Sequence, residues 1–145
     1  MELEIEQIGK TLLDAPLGYV VQTISEIIKK PVYFKIVEQN SVSGTKYVRK
    51  VVIGYDKFPI LCANVKFDSK NLPKSVMTAL LQKKESIGKI LRNNKILAQR
   101  RPILIEMDAD KKTVTRQYEI LYNDSVWFGV SEEIRLDLLY ACKEG

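Results

Sequence analysis

The sequence predicts an α+β fold: a mostly antiparallel six-stranded sheet with helices packed on one side. Two patterns and their order lead there. Apolar residues recur at helical spacing over residues 1–30 and again over 73–91. Alternating, β-branched runs bounded by Gly, Asn, Asp and Pro fill residues 32–67 and 96–135. The resulting order is two helices, three strands, two helices, three strands. Strands that follow strands through short turns pair antiparallel, and helices grouped between such runs gather on one face.

Each element has a local cause. Leu3, Ile5, Ile8 and Leu12 form a stripe that predicts a helix over the first dozen residues, broken at Asp14-Ala15-Pro16. Val20, Val21, Ile24, Ile27 and Ile28 predict a second helix over 17–30. Lys29 and Lys30 suit the negative end of its dipole, and Pro31 stops it. Residues 32–38 alternate as a strand, 39–45 read as a polar loop, 46–53 as a second strand, and 58–67 as a third after the turn at 54–57. Pro59 suits a strand start or an edge. Pro73 opens a helix faced by Val76, Met77, Leu80 and Leu81, and Ser86 caps a short one bearing Ile87, Ile90 and Leu91. Residues 96–107 are extended, with Ile103, Ile105 and Met107 on one face. A polar turn at 108–112 leads into a hairpin of 113–122 and 126–135, joined at Asn123-Asp124. Residues 137–145 read as a short helical turn that frays. No repeat or linker divides the chain, so residues 1–145 are expected to form one domain.

Composition narrows the function. The chain has 145 residues and no histidine, which removes His-based triads, most zinc sites and the usual general base. Cys62 and Cys142 are too far apart for a metal or redox motif and read as free thiols. Asp108 and Asp110 lack further ligands, so neither a metal nor a cofactor is expected. The acidic, amphipathic start is unlike a secretory signal and no apolar run approaches membrane-spanning length, so a cytoplasmic protein with no membrane partner is expected. A formal net charge of +5 favours anions. Residues 83–101 hold seven Lys or Arg against one acid, but without interleaved aromatics for stacking on bases. They read as a solvated face that steers a small anion, and no nucleic-acid partner is expected.

Three places could carry chemistry. Arg49 shares a strand face with Tyr47, Val51 and Ile53, and its planar guanidinium suits bidentate binding of a carboxylate; the alternative is an edge-strand arginine with its head in water. Glu132 shares the face of Val126, Phe128, Val130 and Ile134, so it reads either as a proton donor or hydroxyl partner for a ligand, or as half of an internal ion pair. Ile87-Gly88 opens a helix whose backbone N–H groups could meet an anion, although a glycine needed for close packing is the commoner explanation of such a step.

Together these stretches resemble the chorismate lyase family, whose fold is shared by ligand-binding domains of certain bacterial transcription regulators. The likeness runs from about Leu13 to Leu136. It rests on Arg49-Lys50-Val51-Val52-Ile53, then Pro59-Ile60-Leu61-Cys62-Ala63, then Ser86-Ile87-Gly88-Lys89-Ile90-Leu91, then the arginine-led strand from Arg101 to Glu106. The resemblance implies a chorismate lyase-like fold and a cofactor-independent lyase that converts chorismate to 4-hydroxybenzoate and pyruvate. Arg49 would bind the ring carboxylate and Glu132 would face the far end of the ring, both as catalytic residues. Ile87 and Gly88 would line the pocket, and Leu17 would close it. Pro16 and Gly18 stand where the family more often has Ser or Thr, and a slip of one position in the last hairpin would put Glu133 in place of Glu132. The alternative is a non-catalytic domain that binds an aromatic or carboxylate effector.

Overall fold

A computed structural model describes residues 2–110 and 112–144. The side chains of Leu3 and Ile5 in the expected helical stripe, and Lys111 and Gly145, lie outside the described residues. The helices are α1 (Glu2–Leu13), α2 (Val20–Ile28), α3 (Lys74–Leu81), α4 (Ile87–Asn93) and α5 (Leu136–Glu144). The strands are β1 (Tyr33–Ser43), β2 (Lys46–Tyr55), β3 (Phe58–Asp68), β4 (Gln99–Met107), β5 (Thr113–Tyr122) and β6 (Ser125–Arg135). They form one antiparallel sheet in the order β1-β2-β3-β6-β5-β4. Each run of three strands folds as a meander, and the two meanders join through their last strands, so β3 and β6 are central while β1 and β4 are the edges. The expected α+β class and the helices on one side are what the structure has.

Side-chain alternation separates the faces. On β3, Leu61, Ala63, Val65 and Phe67 are buried under the helices, while Cys62, Asn64 and Lys66 point to solvent. The β5–β6 turn has both Asn123 and Asp124 at positive φ (51° and 62°), the twist that a two-residue hairpin requires and that Asn and Asp tolerate.

The core lies in two clusters. One sets Leu12, Ile24, Ile28, Leu136 and Leu139 against Val51, Ile53, Leu61 and Ile134. The other sets Val76, Leu80, Ile87 and Leu91 against Val65, Phe67, Phe128 and Val130.

Four expectations change. β1 continues to Ser43 instead of ending at Glu38, because its polar residues pair in register with β2 as far as Ser43↔Lys46. α2 starts at Val20 rather than Leu17, since Gly18 takes φ +92° and turns the chain. The last segment does not fray as a short turn. It is a nine-residue helix whose Leu136, Leu139 and Cys142 are buried against α1 and α2. On β4 a bulge between Pro102 and Leu104 breaks the common face expected for Ile103, Ile105 and Met107: Ile105 and Met107 stay together and Leu104 points the other way.

Candidate functional site

The two clusters leave a cavity between them, over the middle of the sheet. Leu17, Arg49, Ile87, Gly88 and Glu132, the residues singled out in the sequence, all line it. The rest of the wall is mainly apolar, with Phe34, Val51, Leu61, Ala63, Val65, Ile120 and Val130 among the lining residues. Its volume is about 90 Å³, well above the ~10–15 Å³ that a single water needs on this kind of measure. It adjoins a wider groove of about 550 Å³, lined in part by Gln22, Glu26, Lys84, Lys89 and Arg92, and shares Gly18, Val21, Phe34 and Ser86 with it.

Sheet register brings Arg49 and Glu132 to one side. Arg49 pairs with Val65 and Val65 with Val130, while Glu132 lies level with Ala63 and Val51. The two are thus two strands and two residues apart on the same face, a Cα separation of about 12 Å from standard sheet spacings. Glu133 is on the opposite, exposed face beside Cys62, so the one-position slip does not occur.

Arg49 is fully buried on an interior strand, which excludes an edge arginine with its head in water. Nε donates to Gln39 Oε1 (2.6 Å), Nη1 to the Glu85 carbonyl (2.8 Å) and Nη2 to the Leu80 carbonyl (3.1 Å). Gln39 Nε2 donates to the same Leu80 oxygen (2.8 Å). Arg49 therefore caps the C-terminal end of α3, where the dipole is negative. These acceptors are all neutral oxygens, and burial lowers its pKa to about 10. A guanidinium has five N–H groups, so three bonds leave two to offer.

Glu132 is engaged differently. Its Oε1 accepts from Arg116 Nε (2.5 Å) and its Oε2 from the Tyr118 hydroxyl (2.7 Å), all three side chains being buried. The internal ion pair and the cavity wall thus coexist in one carboxylate. Burial, followed by the charge of Glu132, pushes the Tyr118 phenol far above its usual value. Arg116 Nη1 donates to the Leu13 carbonyl at the end of α1 (3.3 Å), and its buried Nη2 has no partner among the described residues.

The segment between α1 and α2 closes the cavity, held by arginines from three elements. Arg116 reaches Leu13, Arg100 the Ala15 carbonyl (2.8 Å) and Arg92 the Gly18 carbonyl (3.2 Å). Arg92 also lies over the Tyr19 ring and Arg100 over Tyr118. Gly88 meets this segment backbone to backbone: a Cβ on it would be 2.3 Å from Gly18 Cα. Close packing therefore accounts for the Ile87-Gly88 glycine, and much of the basic segment is engaged with the protein itself.

No family model matches the chain, and no curated protein matches it. Solved structures similar to it include the ligand-binding domain of a GntR-family transcriptional regulator of Bordetella bronchiseptica, at 8% identity and TM-score 0.48, covering 74% of this chain and 87% of that one. A GntR-family regulator of Bacillus cereus is 15% identical with TM-score 0.46, over 72% and 91%. The effector-binding domain of the trehalose repressor of B. subtilis is 13% identical with TM-score 0.44, over 72% and 90%.

These neighbours are regulator domains, and they correct the expectation of a lyase. Arg49 caps the end of α3 and Glu132 sits in a buried pair with Arg116. Among the described residues no helix is long and apolar enough to cross a membrane, and no cluster of three or more His, Cys, Asp or Glu is placed to hold a metal.

Sequence reasoning missed Gln39, Arg116 and Tyr118. Gln39 fell in an expected loop. Arg116 and Tyr118 carried a legible signal, since Val114, Arg116, Tyr118 and Ile120 share one strand parity, the same pattern that exposed Arg49.

Proposed function

We propose that this chain is a non-catalytic domain that binds a small ring carboxylate as an effector, in the cavity walled by Leu17, Arg49, Ile87, Gly88 and Glu132. The observation that carries this is the state of Arg49: a buried cation, on the wall of an apolar cavity, whose partners are neutral oxygens and which keeps two N–H groups to give. A carboxylate beside it would meet a charge already stripped of water, where a contact at 4 Å has a gross Coulomb energy of about 4 kcal/mol at the effective dielectric of such sites. Apolar walls would take the ring. At the far end Glu132 can accept a further hydrogen bond from a ligand hydroxyl, because each carboxylate oxygen has two lone pairs.

Isothermal titration calorimetry with benzoate, 4-hydroxybenzoate and their neutral amides tests the reading. The acids are expected to bind at least tenfold tighter than the amides. The 4-hydroxy acid is expected to exceed benzoate in wild type but not in Glu132→Gln. Arg49→Lys keeps the charge, loses the planar fork, and should weaken the acids while leaving the amides unchanged. Amides that bind as well as the acids would refute a carboxylate site at Arg49.

A further inference from the structure

The sheet holds two buried arginines in nearly the same way, and they differ in one partner. Arg49 on β2 stands directly opposite Gln39 on β1, and Arg116 on β5 stands directly opposite Glu132 on β6. Side chains opposed in this way in an antiparallel pair have Cβ atoms about 4.5–5.5 Å apart, which is contact distance. Each Nε donates to Oε1 of its cross-strand neighbour, at 2.6 Å for Gln39 and 2.5 Å for Glu132. Each guanidinium then reaches a carbonyl near the end of a helix, Leu80 in α3 or Leu13 in α1. Arg116 is thereby neutralised by a carboxylate, whereas Arg49 is held by an amide and keeps its charge.

A bulge in β1 decides which residue Arg49 meets. Phe34 and Ile36 pair with Ile53 and Val51 and are half-buried on the helix-bearing face. Val37 is then passed over, and Glu38 and Gln39 pair with Lys50 and Arg49. In an unbroken ladder counted on from Ile36, Glu38 would fall opposite Arg49 and point inward. The extra residue shifts the alternation by one. Glu38 therefore faces solvent, 3.7 Å from Lys50, and Gln39 is turned inward and buried. The amide is satisfied at both ends. Its oxygen faces Arg49, which can only donate, and its nitrogen donates to the Leu80 carbonyl (2.8 Å), which can only accept. A carboxylate could make the first bond but not the second.

We infer that Gln39 is a positioning residue that sets the anion preference of the cavity: it fixes the Arg49 guanidinium without neutralising it, and the β1 bulge is what delivers this amide in place of the Glu38 carboxylate. The inference rests on the reading of the cavity as a carboxylate site. Gln39 is not itself on the cavity wall and acts through Arg49 alone. A carboxylate at position 39 would turn Arg49 into a second closed pair like Arg116–Glu132, with no charge left for a ligand.

Calorimetric titration of benzoate and benzamide into the 145-residue chain, as wild type, Gln39→Glu and Gln39→Met, tests it, with circular dichroism reporting that each variant stays folded. The quantity read is the ratio of acid to amide affinity, which a merely structural lesion would leave unchanged because it weakens both ligands alike. Gln39→Glu should lower that ratio at least tenfold while benzamide binds as in wild type. Gln39→Met removes the same hydrogen bonds without adding a charge, and should keep the acid favoured. A Gln39→Glu variant with the wild-type ratio would overturn the inference. So would a Gln39→Met variant that loses the preference as fully as Gln39→Glu, since the hydrogen bonds and not the missing charge would then be responsible. A wild type indifferent to acid and amide would instead refute the carboxylate site itself, and this inference with it.

Discussion

Removing the charge of Glu132 isolates what the buried pair contributes. In Glu132→Gln the side chain keeps its shape and one acceptor oxygen. Arg116 is then left as a cation with 4% of its side chain exposed, one buried nitrogen without a partner, and a 3.3 Å bond to the Leu13 carbonyl. Breaking one side of a buried ion pair typically costs about 3–5 kcal/mol; the surviving acceptor puts this variant near the lower figure. That is a large part of the roughly 5–15 kcal/mol that holds a domain folded. At about 2–4 °C per kcal/mol for a chain of this size class, the thermal midpoint should drop by about 10 °C. Arg116→Met alone should cost as much or more, because it leaves a buried carboxylate beside Tyr118. The double variant Arg116→Met/Glu132→Gln removes both charges and should be more stable than either single one, with the burial of an amide in place of the paired carboxylate as the remaining cost. Urea unfolding, followed by far-UV dichroism and by fluorescence of the buried Trp127, gives all three values. A Glu132→Gln cost below about 1 kcal/mol, or a double variant equal to the sum of the singles, would refute the coupling of these two side chains across β5 and β6.

Other expected outcomes follow from single contacts. Gly88→Ala places a methyl 2.3 Å from Gly18 Cα and 2.6 Å from Gly18 N, which only backbone movement relieves, so urea unfolding should show a loss of at least ~2 kcal/mol and ligand titration a displaced lining segment. Leu139→Ala removes a side chain with no exposure and should cost about 2–5 kcal/mol, whereas a frayed terminus would make it neutral. Hydrogen bonds from Arg135 hold the Asp137 carboxyl below its ordinary 3.8. Its folded value is thus the lower one, and the stability it adds is present above the unfolded value and lost as pH falls through the folded one. Unfolding measured at about pH 6 and about pH 3 should show a smaller acid loss in Asp137→Asn than in wild type.

What was legible in the sequence was whatever depends on near neighbours. Period-two alternation located all six strands, Ser86 was readable as a cap because it accepts from Lys89 N three positions on, and strand parity put Arg49 and Glu132 on the cavity face. What was hidden depends on partners far along the chain. Leu80 is 31 positions from Arg49 and Leu13 is 103 positions from Arg116, so nothing local announces that either arginine meets the end of a helix. The long β1 was obscured because Gln, Asn and Ser, ordinary loop residues, can form a strand when a partner in register supplies the hydrogen bonds. The lyase reading had a different origin. It came from resemblance to a family rather than from the residues, and a fold can host a site without hosting the reaction.

The cavity and the buried charges share one cause. A six-stranded sheet is too wide for one layer of short helices to cover without a seam. α1, α2 and α5 cover one part, α3 and α4 another, and the helices end where the two sets meet. Those ends need cations for their carbonyls, and strand parity supplies Arg49 and Arg116 from below. The seam therefore holds both the cavity and the buried charges of Arg49, Arg116 and Glu132. Glu132 neutralises Arg116, whereas Arg49 is met by dipoles alone and retains the cost of its desolvation. On the proposed reading, an anionic ligand would offset that cost and stabilise the same helix end that positions the guanidinium. Binding would then be linked to folding, raising stability by about 2.7 kcal/mol at a free concentration one hundred times Kd, and less in any variant that leaves the end of α3 uncapped.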